Sequence, residues 1–381
     1  MRTPAVVGAF LAVGAMAMVA CGGGSDGDDT GDDAQVDAPV GGVDAFGAGP
    51  PIEAPDDTWT WVPFPESRCM NDTATGIGVN WHGGSSELLI YLEGGGACFN
   101  AFTCATVAHQ GGFGESDMTD TANAYGDAGV FNRADPDNPF RDWNYVFVPY
   151  CSGDVHAGSA EEGFGGRTQL GYQNIGHYLE RLSPTFPNAS RVVLTGSSAG
   201  GFGAAFNYDR VATAFGGRPT FLLDDSGPPM SDTYLTPCLQ TQVRDAWNLA
   251  AALPADCDEC TGEDGGGLVN LATYLGTKYA AQRQGLISSN RDGVIRTFFG
   301  FGYPSCSSTT PMPEPTFADG IEELTTILAP SPGFRAFILD SSVHVWLIDP
   351  TLGGTTSEGV SLTDWLRAFL DGGAGWVTVA P

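Results

Sequence analysis

The sequence predicts an α/β fold, with a mostly parallel central sheet and helices on both faces. Three observations predict it. Short, continuously apolar runs recur along the chain, each ending in a Gly-, Asp- or Ser-rich segment, as strands buried on both faces require. Helix-compatible stretches lie between these runs. One run passes through Gly196-Ser-Ser-Ala-Gly200 directly into a helical pattern.

In chain order, strands are expected at 87–92 (Glu-Leu-Leu-Ile-Tyr-Leu), 145–150, 191–195, 220–224 and 335–339, with 284–288 as a further candidate. Helices are expected at 170–182, 201–215, 268–282 and 362–370. In such sheets reactive groups gather at the carboxyl ends of the strands. No internal repeat is visible.

The first 21 residues read as a targeting segment. Arg2 gives a small positive start, and residues 5–20 are apolar and small. The run is short for a membrane span. It ends at Met18-Val-Ala-Cys21, which resembles a bacterial lipobox whose Cys21 is acylated. Residues 22–57 are rich in Gly, Asp, Pro and Ala and read as an acidic disordered tether. Asp26, Asp28, Thr30 and Gly31 echo a calcium loop, but Asp37 rather than Glu holds the twelfth place and no helix flanks it. Residues 58–381 are left as one domain, large enough for a substantial core. The expectation is an exported, lipid-anchored protein, monomeric, that meets membrane only through its anchor.

Sixteen Lys and Arg against 45 Asp and Glu give a net charge of −29. Such a surface repels phosphate backbones, which excludes nucleic acid as a partner. Of nine cysteines, Cys21 is set aside for lipid, leaving an even number for disulfides in an oxidising compartment. Cys98 and Cys104 are near enough for a local loop. Cys257-Asp-Glu-Cys260 has no second Cys pair or nearby His to complete a zinc site. Cys238, Cys257, Cys260 and Cys306 admit three connectivities.

The Gly196–Gly200 turn has the G-x-S-x-G pattern of a nucleophile elbow. Small residues must stand two before and two after the nucleophile, which makes Ser198 the central residue. A serine hydroxyl needs a base. His344 is the one histidine after Ser198, and it follows the 335–339 strand. An acid is needed between them to orient the imidazole. Asp292 is the candidate, with Asp224, Asp225 and Asp340 as competitors. Asp292 also reads as a helix N-cap before Gly-Val-Ile-Arg. An oxyanion hole is expected from the amide of Ala199 and from Gly95 and Gly96, in the Glu93-Gly-Gly-Gly-Ala97 loop after the first expected strand. No Gly-Lys-Ser/Thr follows that loop, so a phosphate site is disfavoured. The Gly153-Asp-Val-His-Ala157 loop is expected to border the pocket, with Asp154 and His156 as lining candidates.

These motifs carry a family resemblance. Leu92-Glu-Gly-Gly-Gly-Ala-Cys-Phe-Asn100, Tyr150-Cys-Ser-Gly-Asp154 and Thr195-Gly-Ser-Ser-Ala-Gly-Gly201 occur in order, with Cys69-Met-Asn-Asp72 near the start. The set resembles the pectin acetylesterase/Notum family. The resemblance implies an α/β-hydrolase carboxylesterase with a Ser–Asp–His triad and no cofactor. It also implies that Cys69 pairs with Cys151 and Cys98 with Cys104. The chain departs from the family at Gly96, where members often carry an aromatic residue. The expected reaction is hydrolysis of an O-acyl ester, first of all O-acetyl groups on a polysaccharide. The alternatives are a deacylase for longer acyl chains and a non-catalytic glycan-binding lipoprotein.

Overall fold

The computed structural model describes residues 49–381. The expected signal segment, Cys21 and most of the tether lie outside the described residues.

Eight strands form the main sheet: β1 (Thr60–Arg68), β2 (Ala74–Asn80), β3 (Glu87–Leu92), β4 (Asn144–Val148), β5 (Arg191–Ser197), β6 (Thr220–Asp225), β7 (Gln284–Ser289) and β8 (Phe334–Leu339). Their order is β1-β2-β4-β3-β5-β6-β7-β8. β1 pairs antiparallel with β2, and β2 with β4; the remaining pairs are parallel. Parallel neighbours need crossovers, and the longer helices supply them: α2 (Glu115–Tyr125), α3 (Gly171–Thr185), α4 (Ala199–Ala214), α5 (Pro237–Trp247), α6 (Val269–Lys278), α7 (Gly293–Gly300) and α8 (Glu314–Leu328); α9 (Leu362–Asp371) follows the last strand. A single-turn helix, α1 (Ala101–Cys104), follows β3.

Two cores sandwich the sheet. Along β3, Leu88, Ile90 and Leu92 enter one core, while Leu89 and Tyr91 enter the other. This is the period-two alternation of a strand with both faces buried. The first core is closed by α3 through α8, the second chiefly by α9, whose Trp365, Leu366 and Phe369 are buried in it.

The tether expected through residue 57 ends earlier than that. Ile52 is buried and its N–H donates to Thr185 Oγ1 at 2.8 Å. Asp57 N–H donates to the Trp81 carbonyl at 2.7 Å, and Arg181 Nε to that of Pro50 at 3.0 Å. Residues 50–57 are therefore tied to the domain: Ile52 supplies an apolar anchor, and Pro50, Pro51 and Pro55 carry no backbone N–H to satisfy.

Candidate active site

The sharp turn between β5 and α4 sets the position of Ser198. Its backbone takes φ 61° and ψ −120°, a region that a non-glycine residue enters only when its surroundings enforce it. The enforcement is local. A side chain at Gly200 would place its Cβ 1.9 Å from the Leu92 carbonyl oxygen, and one at Gly196 would stand 2.4 Å from that of Gly200. Ser198 N–H donates to Asp225 O at 2.7 Å, which ties the elbow to the end of β6.

Asp292 and His344 are brought together. His344 Nδ1 lies 2.7 Å from Asp292 Oδ2, with the carboxylate fully buried. The other oxygen, Oδ1, accepts from the N–H groups of Val294 and Ile295 at 2.9 and 3.0 Å and caps α7. The cap and the histidine partner are one residue, each using its own oxygen. Asp340, a competitor in sequence, instead pairs with Arg291 at 3.1 Å and is exposed.

Asp225, another competitor, has a different task. It is fully buried. Its carboxylate accepts from Ser197 Oγ at 2.6 Å and from the N–H groups of Trp346 and Leu347 at 2.9 and 3.0 Å. It thereby stitches the elbow to the loop carrying His344. Burial pushes its carboxyl up, against the pull of these donors and of His344.

A cavity opens in front of the elbow. Ser198, Ala199 and Gly96 line it. The remaining wall is apolar: Phe99, Phe202 and Phe206, then Leu239, Val243 and Trp247 of α5, and Ile295, Phe298 and Phe299 of α7. The Trp247 indole N–H is taken up by the Cys98 carbonyl at 2.7 Å. Ser198 is thus the one polar side chain free to act within the lining. The cavity volume is about 100 Å³.

The glycine loop after β3 lies against the elbow, where a Cβ on Gly94 would stand 2.3 Å from Ser197 O. Gly96 has φ +93°, which requires glycine. Among the described residues, no acceptor faces the N–H of Gly95, Gly96 or Ala199. Ala199 is the first residue of α4, where the N–H has no intrahelical partner. Unpaired amides beside a serine hydroxyl can receive negative charge on a bound oxygen.

Asp154 and His156 do not line the cavity; their neighbour Val155 does. The loop turns at two successive non-glycine residues with positive φ, Val155 (51°) and His156 (57°), which sends the flanking side chains into the protein. Asp154 is fully buried and accepts from Ser152 Oγ (2.6 Å), His156 N–H (3.1 Å) and Gly171 N–H (2.7 Å). Burial pushes its carboxyl up against these bonds. His156 Nε2 is 2.8 Å from the Glu93 carbonyl oxygen. Burial brings the imidazole down to about 4, against the bond to Glu93. It is therefore neutral near pH 7 and donates from Nε2.

Sequence reasoning missed Glu93 and Tyr150. Glu93 Oε2 accepts from Tyr150 N–H at 2.8 Å, and Oε1 lies 3.2 Å from His109 Nε2. Tyr150 OH donates to Gly96 O at 2.9 Å and accepts from Val155 N–H at 2.9 Å. The available signal was a charged residue ending an apolar strand, immediately before three glycines.

Among the described residues four disulfides are present: Cys69–Cys151, Cys98–Cys104, Cys238–Cys306 and Cys257–Cys260. The first two are the pairs implied by resemblance; the last two resolve the open connectivity. Cys98–Cys104 holds the segment bearing Ala97 and Phe99 of the cavity wall.

The parallel sheet with a serine elbow at its centre defines the fold as that of an α/β hydrolase. The chain belongs to the pectinacetylesterase family, whose model matches residues 65–259. It is 33% identical over 147 residues to palmitoleoyl-protein carboxylesterase notum2 of Xenopus laevis, covering 38% of this chain and 30% of that protein. It is 31% identical over 157 residues to palmitoleoyl-protein carboxylesterase NOTUM of Homo sapiens (38% and 29% covered). It is 34% identical over 131 residues to pectin acetylesterase 4 of Arabidopsis thaliana (33% and 31% covered). Each match spans less than a third of the relative's length.

Proposed function

We propose that this protein is a serine carboxylesterase that hydrolyses an O-acyl ester whose acyl group enters the apolar cavity at Ser198. The observation that carries the reading is that cavity: one serine hydroxyl in a wall otherwise built of hydrocarbon and aromatic side chains. Family membership supports the reaction class.

In the proposed reaction Ser198 Oγ attacks the ester carbonyl as His344 Nε2 takes its proton. Asp292, at Nδ1, fixes the tautomer and stabilises the imidazolium. The carbonyl oxygen gains negative charge and is held by the amides of Gly95, Gly96 and Ala199. His344 then gives its proton to the departing alcohol oxygen as the ester C–O bond breaks, leaving an acyl-Ser198. Water repeats the sequence, with His344 as base, and releases the acid. No metal or organic cofactor enters these steps.

The wall favours an acyl chain of several carbons, because acetate would leave most of it unfilled. A second reading, removal of O-acetyl groups from a polysaccharide, uses the same chemistry. The name of the relative in Arabidopsis thaliana favours it. Hydrolysis of p-nitrophenyl esters from acetate to decanoate by the full chain separates the two. Each added methylene should raise kcat/KM by up to about fourfold until the cavity is full, from ~0.8 kcal/mol per buried CH₂. A maximum at acetate would reject the longer-chain reading. Hydrolysis surviving Ser198→Ala would reject the serine mechanism.

Export with a lipid anchor at Cys21 is also proposed, and the four disulfides support an oxidising compartment. The mass of the mature N-terminus, wild type beside Cys21→Ala, tests it.

A further inference from the structure

A loop of three glycines is a poor scaffold by itself, because glycine backbone is the least restrained. An oxyanion hole nevertheless works by preorganisation. The restraint has to come from outside the loop, and three donors supply it.

The Glu93 carbonyl accepts from His156 Nε2 at 2.8 Å. The Gly95 carbonyl accepts from Ala108 N–H at 2.8 Å. The Gly96 carbonyl accepts from Tyr150 OH at 2.9 Å. In a trans peptide the C=O and the following N–H point in opposite directions. Pinning a carbonyl outward therefore turns the next amide the other way. The bond to Gly95 O directs the Gly96 amide. The bonds to Glu93 O and Gly96 O fix the first and last peptide planes of the loop, which bracket the Gly95 amide between them.

The two side chains are themselves braced. Tyr150 OH also accepts from Val155 N–H at 2.9 Å, so a single hydroxyl joins the strained turn to the glycine loop. Asp154 Oδ1 accepts from His156 N–H, and Asn207 Nδ2 donates to His156 O at 2.8 Å. Helix α4 closes from behind: a Cβ on Gly203 would meet Val155 O at 2.6 Å and His156 Cβ at 2.9 Å. Backbone strain at two successive residues persists only where surrounding structure enforces it, and such strain clusters at functional sites.

We propose that Tyr150 and His156 are positioning residues that lock the glycine loop with the amides of Gly95 and Gly96 aimed at the oxygen of the tetrahedral intermediate. The assignment rests on the esterase reading above. Neither side chain touches the substrate; both act through the loop.

The test uses the full chain with a p-nitrophenyl ester and an alkyl trifluoromethyl ketone, whose serine adduct carries an oxyanion. Tyr150→Phe and His156→Leu should each lower kcat by roughly 10–100-fold, less than outright loss of an oxyanion donor, with KM within about twofold. Affinity for the ketone should fall in parallel. His156→Gln, which returns an amide donor near the Nε2 position, should recover most of the loss; this pair carries the test if Tyr150→Phe does not fold. Folded variants with unchanged kcat, or a loss in His156→Leu that Gln does not rescue, would overturn the clamp while leaving the esterase intact. A folded wild type inert on every ester would overturn the esterase reading, and the clamp with it.

Discussion

At the residue scale, the site depends on carboxylates given separate tasks by their surroundings. Asp292 serves both α7 and His344 through different oxygens. Asp292→Asn can keep the cap through its carbonyl oxygen but cannot hold the imidazole in the same tautomer. We expect kcat to fall by about 10³–10⁴-fold with little change in melting temperature, the loss seen when a triad acid is made an amide. Steady-state kinetics beside a thermal melt check this. Asp224 answers to burial instead. Its carboxyl is pushed from 3.8 up to about 8 by desolvation, against a bond from Gly227 N–H and with the charge of Asp225 adding. The folded state thus keeps a proton that the unfolded chain releases near pH 4. Stability from this group is present below pH 4 and declines as pH rises toward 8. Asp224→Asn should match the wild type in stability near pH 4 and exceed it increasingly up to pH 8, by at most about 1.4 kcal/mol per pH unit. Denaturant melts at several pH values test it; equal stabilities throughout would contradict it. Both roles of Asp292 were legible in sequence as alternatives. That they coexist was not, because the fork is set by the geometry of two oxygens.

At the element scale, the strand–turn–helix unit at Ser198 follows from packing. Gly200 and Gly196 sit where no Cβ fits. Gly200→Ala should destabilise by about 1–3 kcal/mol through overpacking and reduce esterase activity by more than the unfolded fraction explains. A variant that is stable and fully active would contradict the account of the elbow. The apolar parallel strands were readable because burial on both faces leaves continuous hydrophobic runs. β3 matches its expected bounds, and β5 through β8 match within two residues. β1 and β2 were missed. β1 carries Pro63 and Pro65, which demote a strand by sequence and suit its place at the sheet edge, and β2 carries Gly76 and Gly78, which weaken a strand by sequence but sit where a Cβ would meet Val62 O and Met118 Sδ. α5 and α8 were missed too: each has proline in its first turn, a start signal that reads as a break.

At the scale of the whole molecule, chemistry collects on the carboxyl edge of the sheet, as parallel topology dictates. β3 delivers the glycine loop, β5 the serine, β6 the aspartate that ties the loops, β7 Asp292 and β8 His344. Order along the chain was enough to nominate the serine, the acid and the histidine. The apolar cavity was not legible, because its wall comes from residues 96 to 299 on six separate segments. Neither was the clamp on the glycine loop, which joins groups more than fifty residues apart. In the proposed reaction Ser198 carries the acyl group. Intact-mass and peptide mass spectrometry after treatment with an alkyl fluorophosphonate tests it most directly. A single adduct is expected on the peptide bearing Ser198, absent in Ser198→Ala and formed far more slowly in His344→Ala. An adduct elsewhere, or none on a folded protein that hydrolyses esters, would contradict it.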